Sequence, residues 1–69
     1  MTNFLVNKVK RDGKYHEVHE SYCTHRPESQ NQHSLGSHAT CRGALQQAER
    51  DGYKPADGCY YCCQDCHNG

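Results

Sequence analysis

The sequence predicts a small α+β domain: an N-terminal β-hairpin, a long polar loop, one α-helix and a cysteine-rich C-terminal segment. Three observations predict it. A segment near the N-terminus alternates and folds back on itself around an Asp-Gly pair. One stretch in the second half carries apolar residues at helical spacing. The aliphatic stock is small for a chain of 69 residues, with three Val, three Leu, no Ile, one Phe and no Trp. Below roughly 70–80 residues a core this thin needs a disulfide, a metal or an oligomeric partner. Six Cys and six His are the groups available to supply the staple.

The elements follow in chain order. Residues 4–9, FLVNKV, read as a strand. Asp12-Gly13 suits the positive-φ positions of a hairpin turn. Lys14 to Glu20 then alternate as the return strand, with Tyr15, Glu17 and His19 on one face and His16 and Val18 on the other. Residues 24–37, THRPESQNQHSLGS, are polar and rich in turn formers, which predicts a long loop, mobile in part, with Leu35 pinning its far end to the core. In TCRGALQQAERDG, Cys41, Ala44, Leu45 and Ala48 fall at i, i+3, i+4 and i+7 on one helical face. Thr40 is placed to cap this helix and Gly52 to stop it, while Gly43 weakens the first turn by about 1 kcal/mol relative to Ala. No internal repeat and no second domain are visible, so residues 1–69 read as one unit.

Composition excludes several classes. The net charge is zero with neutral His, which is not the basic footprint of a general nucleic-acid binder. No segment approaches the roughly 20 apolar residues of a membrane span. The N-terminus lacks an apolar export run. The expectation is a cytoplasmic monomer with no membrane contact, in a compartment that keeps thiols reduced. Its partners are unknown, with protein or weakly held nucleic acid as the options.

The chemistry concentrates in GCYYCCQDCH, Gly58 to His67. Cys63-Gln-Asp-Cys66-His67 has the spacing of c-type haem attachment. The lack of an export segment, of a second axial ligand and of apolar material for a porphyrin pocket argues against haem. The tandem CxxCCxxC does not follow ferredoxin spacing, and no βαβ unit supports a catalytic dithiol. Structural zinc takes four N or S donors, often as two separated pairs. Cys59 and Cys62 form one pair. His19 and Cys23, spaced i, i+4 straight after the hairpin, form the other. Cys66 and His67 are the alternates for His19. Cys41 reads as a small buried hydrophobe, although a Cys41–Cys66 disulfide is open to an oxidising compartment; six paired cysteines would allow 15 connectivities. His16, His25, His33 and His38 read as solvated.

The run from Ala44 to Cys62 resembles the metal-binding module of Ada-type DNA-repair proteins and their small relatives. That pattern is a helix with spaced alanines, then Gly-Tyr-x-Pro, then CxxC, matched here by Ala44, Ala48, Gly52, Tyr53, Pro55, Cys59 and Cys62. The family places a first ligand pair at i, i+4 behind an N-terminal hairpin. His19 and Cys23 match that spacing, with His in place of one Cys. The resemblance spans roughly residues 14–62 and implies a small α+β fold holding one zinc. Three additional residues, Ala56 to Gly58, precede the CxxC, and the basic face and helix-turn-helix of the repair proteins are missing. Fold and zinc therefore carry over better than methyl transfer. The expected function is a small zinc-binding interaction module, not an enzyme, with the metal mainly structural. One rival is a methyl-accepting or redox-active zinc-thiolate protein, with Cys63 and Cys66 as the labile thiols. The other is a disulfide-stapled extracellular mini-protein without metal.

Overall fold

A computed structural model describes all 69 residues. Four strands form one sheet and a single helix covers it. The strands are β1 (Thr2–Asn7), β2 (His16–Glu20), β3 (Gln32–His38) and β4 (Ala56–Gly58), in the order β3-β1-β2-β4. The helix, α1, spans Cys41–Arg50. No helix is long and apolar enough to cross a membrane.

β1 and β2 run antiparallel with Phe4 opposite Glu20, Leu5 opposite His19 and Val6 opposite Val18. The chain reverses at Asp12 and Gly13, whose φ values are 54° and 70°. Asn and Asp tolerate this left-handed backbone and Gly adopts it freely. β1 ends two residues earlier than its apolar pattern predicts. The side chain of Asn7 accepts the Val9 N–H at 2.9 Å, a local turn that competes with the ladder. Val9 is left exposed.

The predicted loop 24–37 is the main departure. Ser29–Asn31 form a short 3-10 turn and Gln32–His38 form β3, paired antiparallel with β1 at the edge of the sheet. The register shifts between Phe4 and Leu5, so that Leu35 is the additional residue of a bulge, and Gly36 supplies the φ of +77° that follows it. The bulge turns Leu35 into the core beside Phe4, Val6, Val18, Ala44, Ala48 and Cys63.

The helix buries Ala44 and Ala48, with Cys41 and Leu45 partly buried beside them. Thr40 occupies the N-cap position, but its hydroxyl makes no capping hydrogen bond. The far end is a complete Schellman stop. Tyr53 N–H donates to Ala48 O at 2.9 Å and Gly52 N–H to Glu49 O at 3.1 Å, with Gly52 at φ +96°. The chain then enters β4, the three residues that separate Pro55 from Cys59. β4 pairs with β2 in parallel, Val18 opposite Gly58. A disulfide joins Cys41, at the start of α1, to Cys66 in the 3-10 turn Gln64–Cys66. Cys41 is thus a cross-link and not the free, merely apolar residue its place on the helical stripe suggests.

His16 also departs from expectation. It is buried, not solvated. Its Nδ1–H donates to Asn7 O at 2.9 Å and its ring meets Tyr53 edge-on. Hydrogen bonding makes the burial tolerable for a polar ring.

Candidate metal centre

β2 and β4 build the site. Their parallel pairing continues one step past Gly58, where Cys59 N–H donates to Val18 O at 2.9 Å. That bond sets Cys59 against His19, the next residue of β2. Cys23 follows from a turn at the end of β2, closed by its N–H to Glu20 O at 3.0 Å. Cys62 completes the group from the turn after β4. The donor atoms of His19, Cys23, Cys59 and Cys62 all lie within 4.8 Å of one another, a cluster that could hold a metal ion. Two distant stretches of chain, each carrying one closely spaced donor pair, converge here.

The surroundings suit anionic sulfur. Each of the three cysteines accepts one backbone N–H: His25 to Cys23 Sγ at 3.4 Å, Tyr61 to Cys59 Sγ at 3.4 Å and Glu20 to Cys62 Sγ at 3.3 Å. Hydrogen bonds to the charged form favour it. Burial works the other way and pushes the Cys62 thiol well above its ordinary range. The Arg26 guanidinium donates to Cys23 O at 2.9 Å, bringing a positive charge to the site's edge.

His19 is the most informative member. It is 1% exposed, and its Nδ1 is a buried polar atom without a hydrogen-bond partner. Leaving such an atom unsatisfied costs about 1–3 kcal/mol. Its Nε2 faces the Glu17 carboxylate at 3.4 Å. A carboxylate on one ring nitrogen with a bare lone pair on the other is the arrangement of a metal-ligating imidazole. Burial, reinforced by the nearby His25, lowers the His19 pKa to about 4, so the ring is neutral at neutral pH.

Cys66 and His67 stand apart from this cluster. Cys66 is bonded to Cys41. His67 Nδ1–H donates to Gly58 O at 2.9 Å and lies 3.2 Å from Asp57 Oδ2. Asp57 carries more of the architecture than its turn-like context suggests. Buried to 1% exposure, it accepts Asn68 N–H at 2.7 Å and Gly69 N–H at 3.1 Å, folding residues 67–69 back onto β4. Gly58 makes room for this segment, since a Cβ there would lie 2.6 Å from Cys63 O. Glu17, Asp57 and Gly58 carry no motif that marks them. Of the other histidines, His33 bonds Asp51 at 2.9 Å, His38 donates to Leu35 O at 2.7 Å, and His25 stacks on Tyr61 with ring centroids 3.8 Å apart. No family model matches the sequence, and neither a curated protein nor a solved structure matches the chain.

Proposed function

We propose that the chain is a small zinc-binding module, one Zn2+ per chain, held by His19, Cys23, Cys59 and Cys62 and serving mainly to close the fold. The convergence of these four donors carries the reading. A tetrahedral site with metal–sulfur bonds of about 2.3 Å has sulfur–sulfur edges of about 3.8 Å, and the Cys23 and Cys59 sulfurs stand 3.9 Å apart. Three thiolates and a neutral imidazole suit zinc, a borderline-soft cation. The unpartnered Nδ1 of His19 supports the same set. The order of helix, Gly52-Tyr53, Pro55 and Cys59-x-x-Cys62 fits a unit of the Ada-like kind, with the first donor pair drawn from the end of an N-terminal hairpin.

Around the donors the surface is aromatic. Tyr22, Tyr60 and Tyr61 are all exposed, and Tyr60 meets Tyr61 edge-on. Exposed tyrosines are enriched at protein interfaces, which supports an interaction role over catalysis.

The Cys41–Cys66 disulfide favours a second reading, an extracellular mini-protein stapled by bridges alone. Under it Cys23, Cys59, Cys62 and Cys63, all free thiols in this structure, would pair as well and no metal would bind. Elemental analysis with a thiol count on freshly purified protein decides between the two. One zinc per chain, lost in Cys59→Ser, is the expected result. Two zincs, iron, or a metal-free chain with all cysteines oxidised would overturn the zinc reading.

A further inference from the structure

One thiol has no place in the donor set. Cys63 is 3% exposed and contributes to the apolar core, a position that Ala or Val could fill equally well by polarity. Its sulfur stands 3.7 Å from that of its chain neighbour Cys62, so a bond between the two would close an eight-membered ring across a Cα–Cα step of about 3.8 Å, tighter than ordinary disulfides span and correspondingly easy to reduce. Cys62 is the only one of the three clustered cysteines that is not fully buried. Both Cys62 and Cys63 line an open depression of about 450 Å³, walled by Phe4, Thr40 and Tyr61. Glu20 and Asp65 lie on the same wall. Two carboxylates there admit a small neutral oxidant more readily than an anionic one.

We propose that Cys62 and Cys63 form a two-cysteine oxidation site through which a hydroperoxide dismantles the metal centre. The Cys62 thiolate attacks the peroxide, the O–O bond breaks, and the departing oxygen takes a proton and leaves as an alcohol, or as water from hydrogen peroxide. Cys62 is then a sulfenic acid. Cys63 gives up its proton, and its sulfur displaces the hydroxyl group from the Cys62 sulfur, forming the S–S bond and releasing water. One thiolate, one thiol, one peroxide and one proton give one disulfide, one alcohol and one water. The two sulfurs lose the two electrons that the peroxide gains. Cys62 leaves the donor set, and His19, Cys23 and Cys59 alone no longer complete a tetrahedron. A core thiol in contact with an accessible donor thus makes the staple releasable. A thiol reductant restores Cys62 and Cys63.

The metal-release half of this inference rests on the zinc reading, and so does the ready thiolate of Cys62; which sulfur Cys62 bonds is read from the disulfide map with or without metal. The test begins with zinc-loaded full chain whose metal content has been measured. Hydrogen peroxide is added in the presence of a chromogenic zinc chelator, and the disulfides are mapped by fragment-ion mass spectrometry. The wild-type chain should release one metal per disulfide formed, with the new bond between Cys62 and Cys63. Cys63→Ala and Cys63→Ser should bind zinc normally. They should form no Cys62 disulfide and should instead accumulate a Cys62 sulfenic acid that dimedone traps. No trapped Cys62 sulfenic acid in either variant, or a new bond between Cys59 and Cys62 in the wild type, would overturn the proposal. If the chain holds no zinc before peroxide is added, the zinc reading has failed; the wild-type disulfide map, which needs no variant, then still decides whether Cys62 and Cys63 form an oxidation site.

Discussion

The two faces of the central strand pair are held by different physics. Under the helix, Phe4, Val6, Val18, Leu35, Ala44, Ala48 and Cys63 form a buried cluster of mostly small side chains. On the other face, Leu5 lies opposite His19, and the chain beyond is organised by sulfur, imidazole and backbone N–H groups. The apolar face gathers side chains from β1, β2, β3 and α1 and from Cys63 beyond β4. The sulfur face joins the end of β2 to the end of β4, a long-range closure with little apolar surface behind it. A small core can define which way the helix lies. The second closure needs a bond of another kind.

On the zinc reading, metal removal separates the two faces most directly. Zinc binding at structural sites is worth about 10–16 kcal/mol at neutral pH, against the roughly 3–5 kcal/mol that a core of this size supplies. Chelation should therefore collapse amide dispersion on both faces together, not around the donors alone. The helix runs only from Cys41 to Arg50, shorter than the roughly 12–15 residues that an isolated helix needs, so it should melt with the rest. A chelated and reduced sample that keeps a dispersed spectrum would show that the apolar face is sufficient.

The Cys41–Cys66 bridge allows a narrower test, because it ties the start of α1 to the 3-10 turn Gln64–Cys66 and supplies no donor. It spans 25 residues of sequence, which on the chain-entropy argument contributes about 3.5 kcal/mol. Cys41→Ala should lower the denaturation midpoint by a corresponding amount and leave one metal bound per chain. Loss of the metal in this variant would mean that the bridge is needed to hold the donors in place.

Legibility in the sequence divides along the same line. The helix and its stop were readable because their signals are local: an apolar stripe over Cys41 to Ala48, then Gly52 in the Schellman position. The convergence of His19, Cys23, Cys59 and Cys62 was readable as two short spacings joined by the need for a staple. β3 was not, since Gln32 to His38 offer one buried side chain, Leu35, and form a strand only because β1 has an open edge. β4 was hidden more deeply. Ala-Asp-Gly contains no strand former, and it pairs only because β2 lies alongside. Cys41 to Cys66 was one pairing among many, and local pattern does not rank pairings. Asp57 looks like a turn residue until residues 67–69 are seen folded onto it.

A smaller effect tests the second layer of the sulfur face. Glu17 faces His19 Nε2 at 3.4 Å and also holds Arg11 at 3.1 Å. Removing the partner of a ligating imidazole costs 10–100-fold in metal affinity as a rule. Glu17→Gln should show a loss of that size in a competition titration with a chromophoric chelator. Arg11→Gln, which removes only the outer ion pair, should show almost none. Equal losses would place the effect in the strand and not in the orientation of His19.

The finest test is the pH dependence of metal affinity. Bound donors carry no acidic protons, so any proton that the metal-free chain takes up weakens binding, and affinity must fall as pH falls. Three thiols set a slope of about three decades per pH unit below their pKa. His19 adds a fourth decade once it too is protonated in the metal-free state. If the metal-free chain is unfolded, that break lies near the ordinary imidazole value of about 6.5. If the site persists without metal, burial keeps His19 neutral down to about 4, and the slope stays at three through the intervening range. The sign is the same in both cases, since a depressed histidine favours the folded chain above the unfolded pKa and that advantage is lost as pH falls. Only the position of the break differs. A break near 6.5 in the chelator titration would show that the sulfur face is formed by its metal. A break near 4 would show that β2 and β4 bring the donors together before the metal arrives.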